Sequence, residues 1–123
     1  MRVPLTKDFE VKDLILKMEL PAIVIASAKL GTLNHTLLTL DYLKRGRVKV
    51  LGIILNFFGR GIVERTNLSF FKKKTIPILL TVPTYAKHEK AFELISSAIP
   101  RSPLGKWLIK NVSCETILTH KPL

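Results

Sequence analysis

The sequence has 123 residues, 47% hydrophobic and 24% charged, so its composition is that of one folded domain and excludes a disordered chain. The 20 Lys and Arg residues outnumber the 9 Asp and Glu residues. The resulting net charge of +11 favours an anionic partner such as a nucleotide, a nucleic acid or an acidic protein. The tight basic run at 72–74 has no Arg-rich repeat or aromatic ladder beside it, and we interpret it as a solvated helix end.

Cysteine and histidine usage argues against disulfide and metal frameworks. Cys114 is the single cysteine, which excludes a disulfide framework and a thiolate metal site. The three histidines lie far apart without ligands at suitable spacing, so we expect no structural metal: His35, His88 and His120. The longest apolar runs are too short to cross a bilayer, and we expect a cytoplasmic protein without a membrane segment.

An amphipathic helix and a buried strand are the first clear elements. Apolar residues recur at helical spacing at Val11, Leu14, Ile15 and Met18. Pro21 then precedes residues 22–26, which are all small or β-branched and apolar. Such a run predicts a parallel strand that is covered on both faces.

A glycine turn and a second helix follow that strand. Gly31 permits a backbone conformation that a side chain forbids, Thr32 is well placed as the N-cap, and the helix is expected to stop at Gly46. A helix that starts there directs unpaired N–H groups and a partial positive charge at the strand end, which favours a carboxylate or phosphate site. Many such corners bind nothing, so the spacing alone leaves both interpretations open.

Two further strands complete a parallel sheet. We expect a second strand over residues 48–55, which ends at Asn56, and a basic helix over 63–74. A third strand is expected over 76–82, and Pro83 closes it. Because the carboxyl ends of parallel strands meet at one edge, where open α/β sheets bind ligands, we expect the following residues to be neighbours there: Gly31, Thr32, Asn34, Asn56 and Pro83.

The remaining sequence is less regular. We expect a surface helix over 86–98, an amphipathic helix over 104–112, and a tail over 113–123 that has no clear period and frays.

Several segments resemble the C-terminal half of dethiobiotin synthetase. They are VPLT-x-D-x-x-x-x-DLI near the start, LP-x-IV, KLGTLNHTLLTL, GIILN and the stretch 64–83. The resemblance covers residues 3–83, and the LGT-x-NHTLLT block is its most specific part. It implies an α/β fold, a P-loop NTPase-like parallel sheet with flanking helices, of which this chain would hold the C-terminal βαβ portion.

The resemblance also implies a reaction. The family carboxylates 7,8-diaminopelargonic acid with CO₂ and closes the ureido ring of dethiobiotin, using ATP and Mg²⁺, as a homodimer. By that resemblance the substrate carboxylate is held by the backbone N–H groups of Gly31, Thr32 and Leu33 and by the side chain of Asn34.

The nucleotide side carries over onto two positions. Asn56 would read the adenine edge, since an amide offers a donor and an acceptor together. The alternative, favoured without the resemblance, is a strand-end asparagine that caps its own loop. The segment around Pro83 would line the purine pocket, although the chain has Leu80 where the family usually has glycine.

The phosphate-binding part of the family pattern is absent from this sequence. None of the six glycines forms a G-x-x-x-x-x-GKT loop, and Gly59-Arg60-Gly61 lacks the strand–loop–helix context. No catalytic residue or metal ligand can therefore be assigned.

Three hypotheses remain. The first is that residues 1–98 form the C-terminal part of a dethiobiotin synthetase-like domain, with a basic extension at 99–123, inactive without a separate P-loop half. The second is a non-catalytic remnant that acts as a binding or dimerisation module. The third, a nucleic-acid binder, rests only on the net charge, and we do not adopt it.

Overall fold

The computed structural model of the chain describes residues 3–84, 93 and 95–111. Contacts within the chain divide it into two compact units, Met1–Thr84 and Tyr85–Leu123. The domain boundary after residue 98 stays a prediction.

The N-terminal segment is a short hairpin followed by a helix. Strands β1 (Pro4–Thr6) and β2 (Phe9–Glu10) pair antiparallel, and α1 (Val11–Met18) follows at once. A capping box starts α1, in which Asp13 Oδ2 accepts the N–H of Glu10 at 2.8 Å. The predicted helix is therefore confirmed, although none of its residues is buried.

The sheet of the first unit has three parallel strands in sequence order. They are β3 (Ala22–Ser27), β4 (Val50–Phe58) and β5 (Ile78–Pro83), with β4 in the centre. Helix α2 (Thr32–Arg45) connects β3 to β4, and α3 (Ile62–Lys73) connects β4 to β5. The predicted α/β fold, a P-loop NTPase-like parallel sheet flanked by helices, is confirmed.

The core lies between the sheet and its connecting helices. Its buried members are Ala26, Ile53, Leu55 and Phe71, and Leu33 and Leu40 of α2 pack against them. The prediction that the first strand is covered on both faces is wrong, because Ile25 is 69% exposed. Successive side chains of a strand point to opposite faces, so Ile25 points away from the core that contains Ala26.

The sequence predicts the helices and the three parallel strands of the first unit, but it misses the β1–β2 hairpin and some of the element ends. Helix α2 ends at Gly46 as predicted, and α3 lies one residue earlier than predicted. Strand β4 continues past Asn56 to Phe58, which pairs with Pro83, so the prediction that Asn56 ends the strand is wrong. Phe57 has a left-handed φ of 56°, and the register with β5 shifts between Leu55 and Phe58, so pairing resumes at Phe58 after an irregularity that the sequence does not reveal.

The second unit contains a 3₁₀ turn (Ile99–Arg101) and α4 (Pro103–Asn111). The hydroxyl of Ser102 donates to the carbonyl of Ile99 at 2.6 Å and accepts the N–H of Gly105 at 3.1 Å, which starts α4. The predicted helix at 104–112 is thus found, and it begins one residue earlier than predicted. Of the predicted helix at 86–98, residues 93 and 95–98 are described and helical. Its other residues and the tail at 113–123 lie outside the described residues.

Within the ranges that the structure describes, no helix is long and apolar enough to cross a membrane.

Candidate functional site

The turn between β3 and α2 is built around a left-handed glycine. Gly31 has φ of 85° and is the N-cap of α2, so the prediction that Thr32 is the N-cap is wrong. Thr32 is the first helical residue, and its buried hydroxyl forms a hydrogen bond with the hydroxyl of Thr36 at 3.2 Å. This pairing on the core side removes the Thr32 hydroxyl from the capping position.

Several N–H groups of this turn are available to a ligand. In residues 3–84 the N–H groups of Leu30 and Gly31 have no hydrogen-bond acceptor. Those of Leu33 and Asn34 belong to the first helical turn, whose N–H groups have no intrahelical acceptor. The N–H of Thr32 is less available, because it donates to the carbonyl of Lys29 at 3.3 Å.

The electrostatics of the helix start also favour an anion. The first turn of α2 has no acidic residue, so no carboxylate of its own neutralises the partial positive charge there. Gly31 and Asn34 are exposed and Leu33 is half-buried. The four residues predicted for the substrate carboxylate are therefore consecutive at the start of α2. Gly31, Leu33 and Asn34 reach the surface, whereas Thr32 is buried.

Asn56 lies beside this turn at the carboxyl edge of the sheet. It pairs in register with Ser27, and its carbonyl accepts the N–H of Ala28 at 2.7 Å. Its side-chain Oδ1 accepts the N–H of Phe57 at 2.9 Å, as the interpretation of a self-capping asparagine expects. The Nδ2 group has no hydrogen-bond partner among the described residues, and Oδ1 keeps a second lone pair.

Pro83 ends β5 at the same edge. It pairs with Phe58, two residues beyond Asn56, and is exposed. Asn56 and Pro83 therefore lie close together on the neighbouring strands β4 and β5. The Gly31 turn follows β3, which pairs with the opposite edge of β4. Leu80 is half-buried and pairs with Ile54, three residues before the exposed end of β5.

Sequence reasoning missed two contacts at this edge. Asn67 of α3 is buried, and its Nδ2 donates to the carbonyls of Ala28 and Lys29 at 3.0 and 3.2 Å. The ammonium of Lys29 lies 5.3 Å from the ring centroid of Phe57. One signal could have found Asn67: it precedes the buried Phe71 by four residues, which puts a polar side chain on the core face of the helix.

The loop at 59–61 is already occupied by a carboxylate. The Glu64 side chain lies where a Cβ on Gly59 or Gly61 would be, in the first turn of α3. A carboxylate in that position repels a phosphate, so this G-x-G does not act as a phosphate loop. Among the residues that the structure describes, no group of three His, Cys, Asp or Glu could hold a metal ion.

Comparison with known proteins identifies the family. Residues 1–91 match the family described as AAA domain. The chain belongs to the AAA domain family. It is also similar to proteins named ATP-dependent dethiobiotin synthetase BioD, so the resemblance inferred from the sequence motifs is confirmed.

Three of these relatives show the extent of the similarity. The Haloferax mediterranei protein is 38% identical over 85% of this chain and 50% of its own length. The Thermodesulfovibrio yellowstonii protein is 33% identical over 97% of this chain and 50% of its own length. The Bacillus velezensis protein is 44% identical over 66% of this chain and 36% of its own length. The chain thus spans about half, or less, of the length of the curated relatives that it matches.

Proposed function

We propose that this AAA domain chain forms the substrate-carboxylate corner and the adenine side of a dethiobiotin synthetase in biotin biosynthesis. The reaction would carboxylate 7,8-diaminopelargonic acid with CO₂ and close the ureido ring with ATP. The observation that carries the proposal is the turn at Gly31, which combines free N–H groups, a left-handed glycine and an unneutralised helix start with the similarity to dethiobiotin synthetases.

The carboxylate of diaminopelargonic acid fits the chemistry of this turn. Its oxygens would accept from the N–H groups of Gly31 and Leu33 and from the side-chain amide of Asn34. Such charge-assisted hydrogen bonds are shorter and roughly twice as strong as neutral ones. The N–H of Thr32 can join only if its 3.3 Å bond to Lys29 lengthens, so we assign it the smallest share.

The adenine of ATP fits Asn56. Its Nδ2 group is free to donate to a ring nitrogen, and the remaining lone pair of Oδ1 can accept from the exocyclic amine. The bond from Phe57 N–H to Oδ1 fixes which way the amide faces. Pro83, exposed at the end of the neighbouring strand, would flank the purine.

The phosphates of ATP and Mg²⁺ do not fit the residues of this chain that the structure describes. The Glu64 carboxylate occupies the loop at 59–61, and the described acidic residues form no group of three around a common point. The proposal therefore requires a P-loop half from elsewhere for the phosphoryl chemistry. We propose that the chain works in the cytoplasm, as a homodimer or paired with that half, and that its net charge of +11 attracts the anionic ATP.

A non-catalytic binding or dimerisation module is the second candidate. It is favoured by the exposed Ile25 on β3, which lies at the edge of the three-stranded sheet. An edge strand with an exposed apolar face is a ready template for pairing with another chain. The two candidates differ in one outcome, which is catalysis after a P-loop half has been added.

Calorimetric titration of the chain with 7,8-diaminopelargonic acid tests the carboxylate site. The matched control ligand is nonane-2,3-diamine, which has the same vicinal amines and carbon chain with a methyl group in place of the carboxylate. We expect measurable binding of the acid only, weakened by Asn34→Ala. Equal binding of both ligands, or no binding of the acid at millimolar concentration, would contradict the assignment of the turn.

A further inference from the structure

A buried amide on α3 holds the turn that precedes α2. Asn67 is 6% exposed, and its Nδ2 donates to two consecutive carbonyls, those of Ala28 and Lys29, at 3.0 and 3.2 Å. Both hydrogens of the amide are therefore used on a segment 38 and 39 residues away in sequence. The helix on the adenine side of the sheet edge is thus bonded directly to the backbone of the turn.

These two bonds determine where the turn directs its N–H groups. In a planar trans peptide the carbonyl and the following N–H point in opposite directions. Because the carbonyl of Lys29 faces Asn67, the N–H of Leu30 faces away from α3. The N–H of Lys29, which follows the carbonyl of Ala28, is likewise turned away and donates to Ser27 Oγ at 3.2 Å.

The carbonyl of Lys29 connects the hydrogen bonds of Asn67 to the start of α2. It also accepts the N–H of Thr32, the first residue of α2, at 3.3 Å. Displacement of that carbonyl would therefore shift both the turn and the first turn of the helix. The side chain of Lys29, over the ring of Phe57, would move with it.

We propose that Asn67 is a positioning residue for the anion-binding turn. It does not touch the ligand: it fixes the carbonyls of residues 28 and 29, so that the N–H of Leu30 stays on the side away from α3 and the Lys29 carbonyl stays in place to accept the N–H of Thr32 at the start of α2. The identity of the ligand rests on the proposed function, whereas the coupling between Asn67 and the turn does not.

Amide hydrogen exchange separates positioning from general stability. The reporter is the N–H of Ala28, bonded to Asn56 at 2.7 Å, and the reference is the N–H of Ile53, bonded to Pro77 at 2.8 Å. Asn67→Asp keeps the shape and replaces the donor with oxygen that repels both carbonyls. Exchange at Ala28 should accelerate at least about tenfold more than exchange at Ile53.

Two control variants complete the exchange experiment. Phe71→Leu disturbs the core from the same helix and should accelerate exchange at both amides alike. Asn111→Asp makes the same chemical change at an exposed amide, which donates to the carbonyl of Trp107 and to no other described residue, and should leave both rates unchanged. If Asn67→Asp does not fold, Asn67→Ser, which keeps one donor, replaces it. Parallel acceleration at Ala28 and Ile53 in the Asn67 variants would overturn the proposal.

The affinity for 7,8-diaminopelargonic acid is the second readout. Asn67→Ala should weaken it about tenfold or more, whereas Phe71→Leu should not when both are compared at a temperature where each is fully folded. Unchanged affinity in Asn67→Ala would overturn the positioning role. If the unmodified chain does not bind the acid, the proposed function fails, and the exchange rates at Ala28 still decide whether Asn67 positions the turn.

Discussion

Replacing Gly31 by alanine tests the conformation on which the carboxylate site depends. A Cβ at this position would meet no atom within 4 Å, so the substitution introduces no steric clash. The φ of +85° remains, and a left-handed conformation is unfavourable for an L-residue by roughly 1–2 kcal/mol. We therefore expect Gly31→Ala to lower the free energy of unfolding by about that amount in urea denaturation followed by circular dichroism.

Gly46 provides the matched control at the other end of the same helix. Its φ is −76°, and a Cβ there would make ordinary contacts at 3.4 Å or longer. Gly46→Ala should therefore be neutral or stabilising by up to about 1 kcal/mol, because alanine restricts the unfolded chain. Gly31→Asn, which tolerates the left-handed region, should be milder than Gly31→Ala. An unchanged or raised stability in Gly31→Ala would refute the role assigned to Gly31.

Three further substitutions have contrasting expected results. Asn34→Asp adds a negative charge to the first turn of α2, so it should raise the free energy of unfolding by about 0.3–1 kcal/mol. The same charge should weaken the binding of diaminopelargonic acid in calorimetry. A variant that both binds the acid more weakly and unfolds more easily would contradict the assignment. Phe71→Ala removes a fully buried ring and should lower the free energy of unfolding by about 3–5 kcal/mol. Leu38→Ala, at a 60% exposed position, should change it by less than about 0.5 kcal/mol. Similar urea midpoints for the two variants would contradict the placement of Phe71 in the core. Asp41→Asn breaks the exposed 2.9 Å ion pair with Arg45 and should lower the thermal midpoint only slightly, since such helix pairs contribute about 0.3–0.5 kcal/mol.

Local patterns in the sequence were sufficient to predict the main elements. The apolar runs locate β3 and β4, and the glycine between a strand and an amphipathic run locates the start of α2. The ends of strands are set by pairing with other strands, which a single run does not reveal. Asn56 shows this, because β4 continues past it to pair Phe58 with Pro83.

The candidate site was predictable only where its residues act locally. Gly31 and Asn34 follow from the turn and the helix that starts there. The hydroxyl of Thr32 was predicted to cap the helix, but it faces Thr36 in the buried side of α2. Asn67 bonds residues that are 38 and 39 positions away in sequence, so its role depends on the packing of α3 against the turn. In the sequence, its signal is limited to one polar residue on an apolar helix face.

The most direct test of the central claim is dethiobiotin formation by this chain mixed with a separate polypeptide that carries the P-loop half of a dethiobiotin synthetase. The assay would follow incorporation of labelled CO₂ into dethiobiotin with ATP, Mg²⁺ and diaminopelargonic acid present. We expect no product from either polypeptide alone, product from the mixture, and a strong reduction when this chain carries Asn34→Asp. Product from this chain alone would contradict its dependence on a P-loop half, and no product from a stably associated mixture would favour the non-catalytic module.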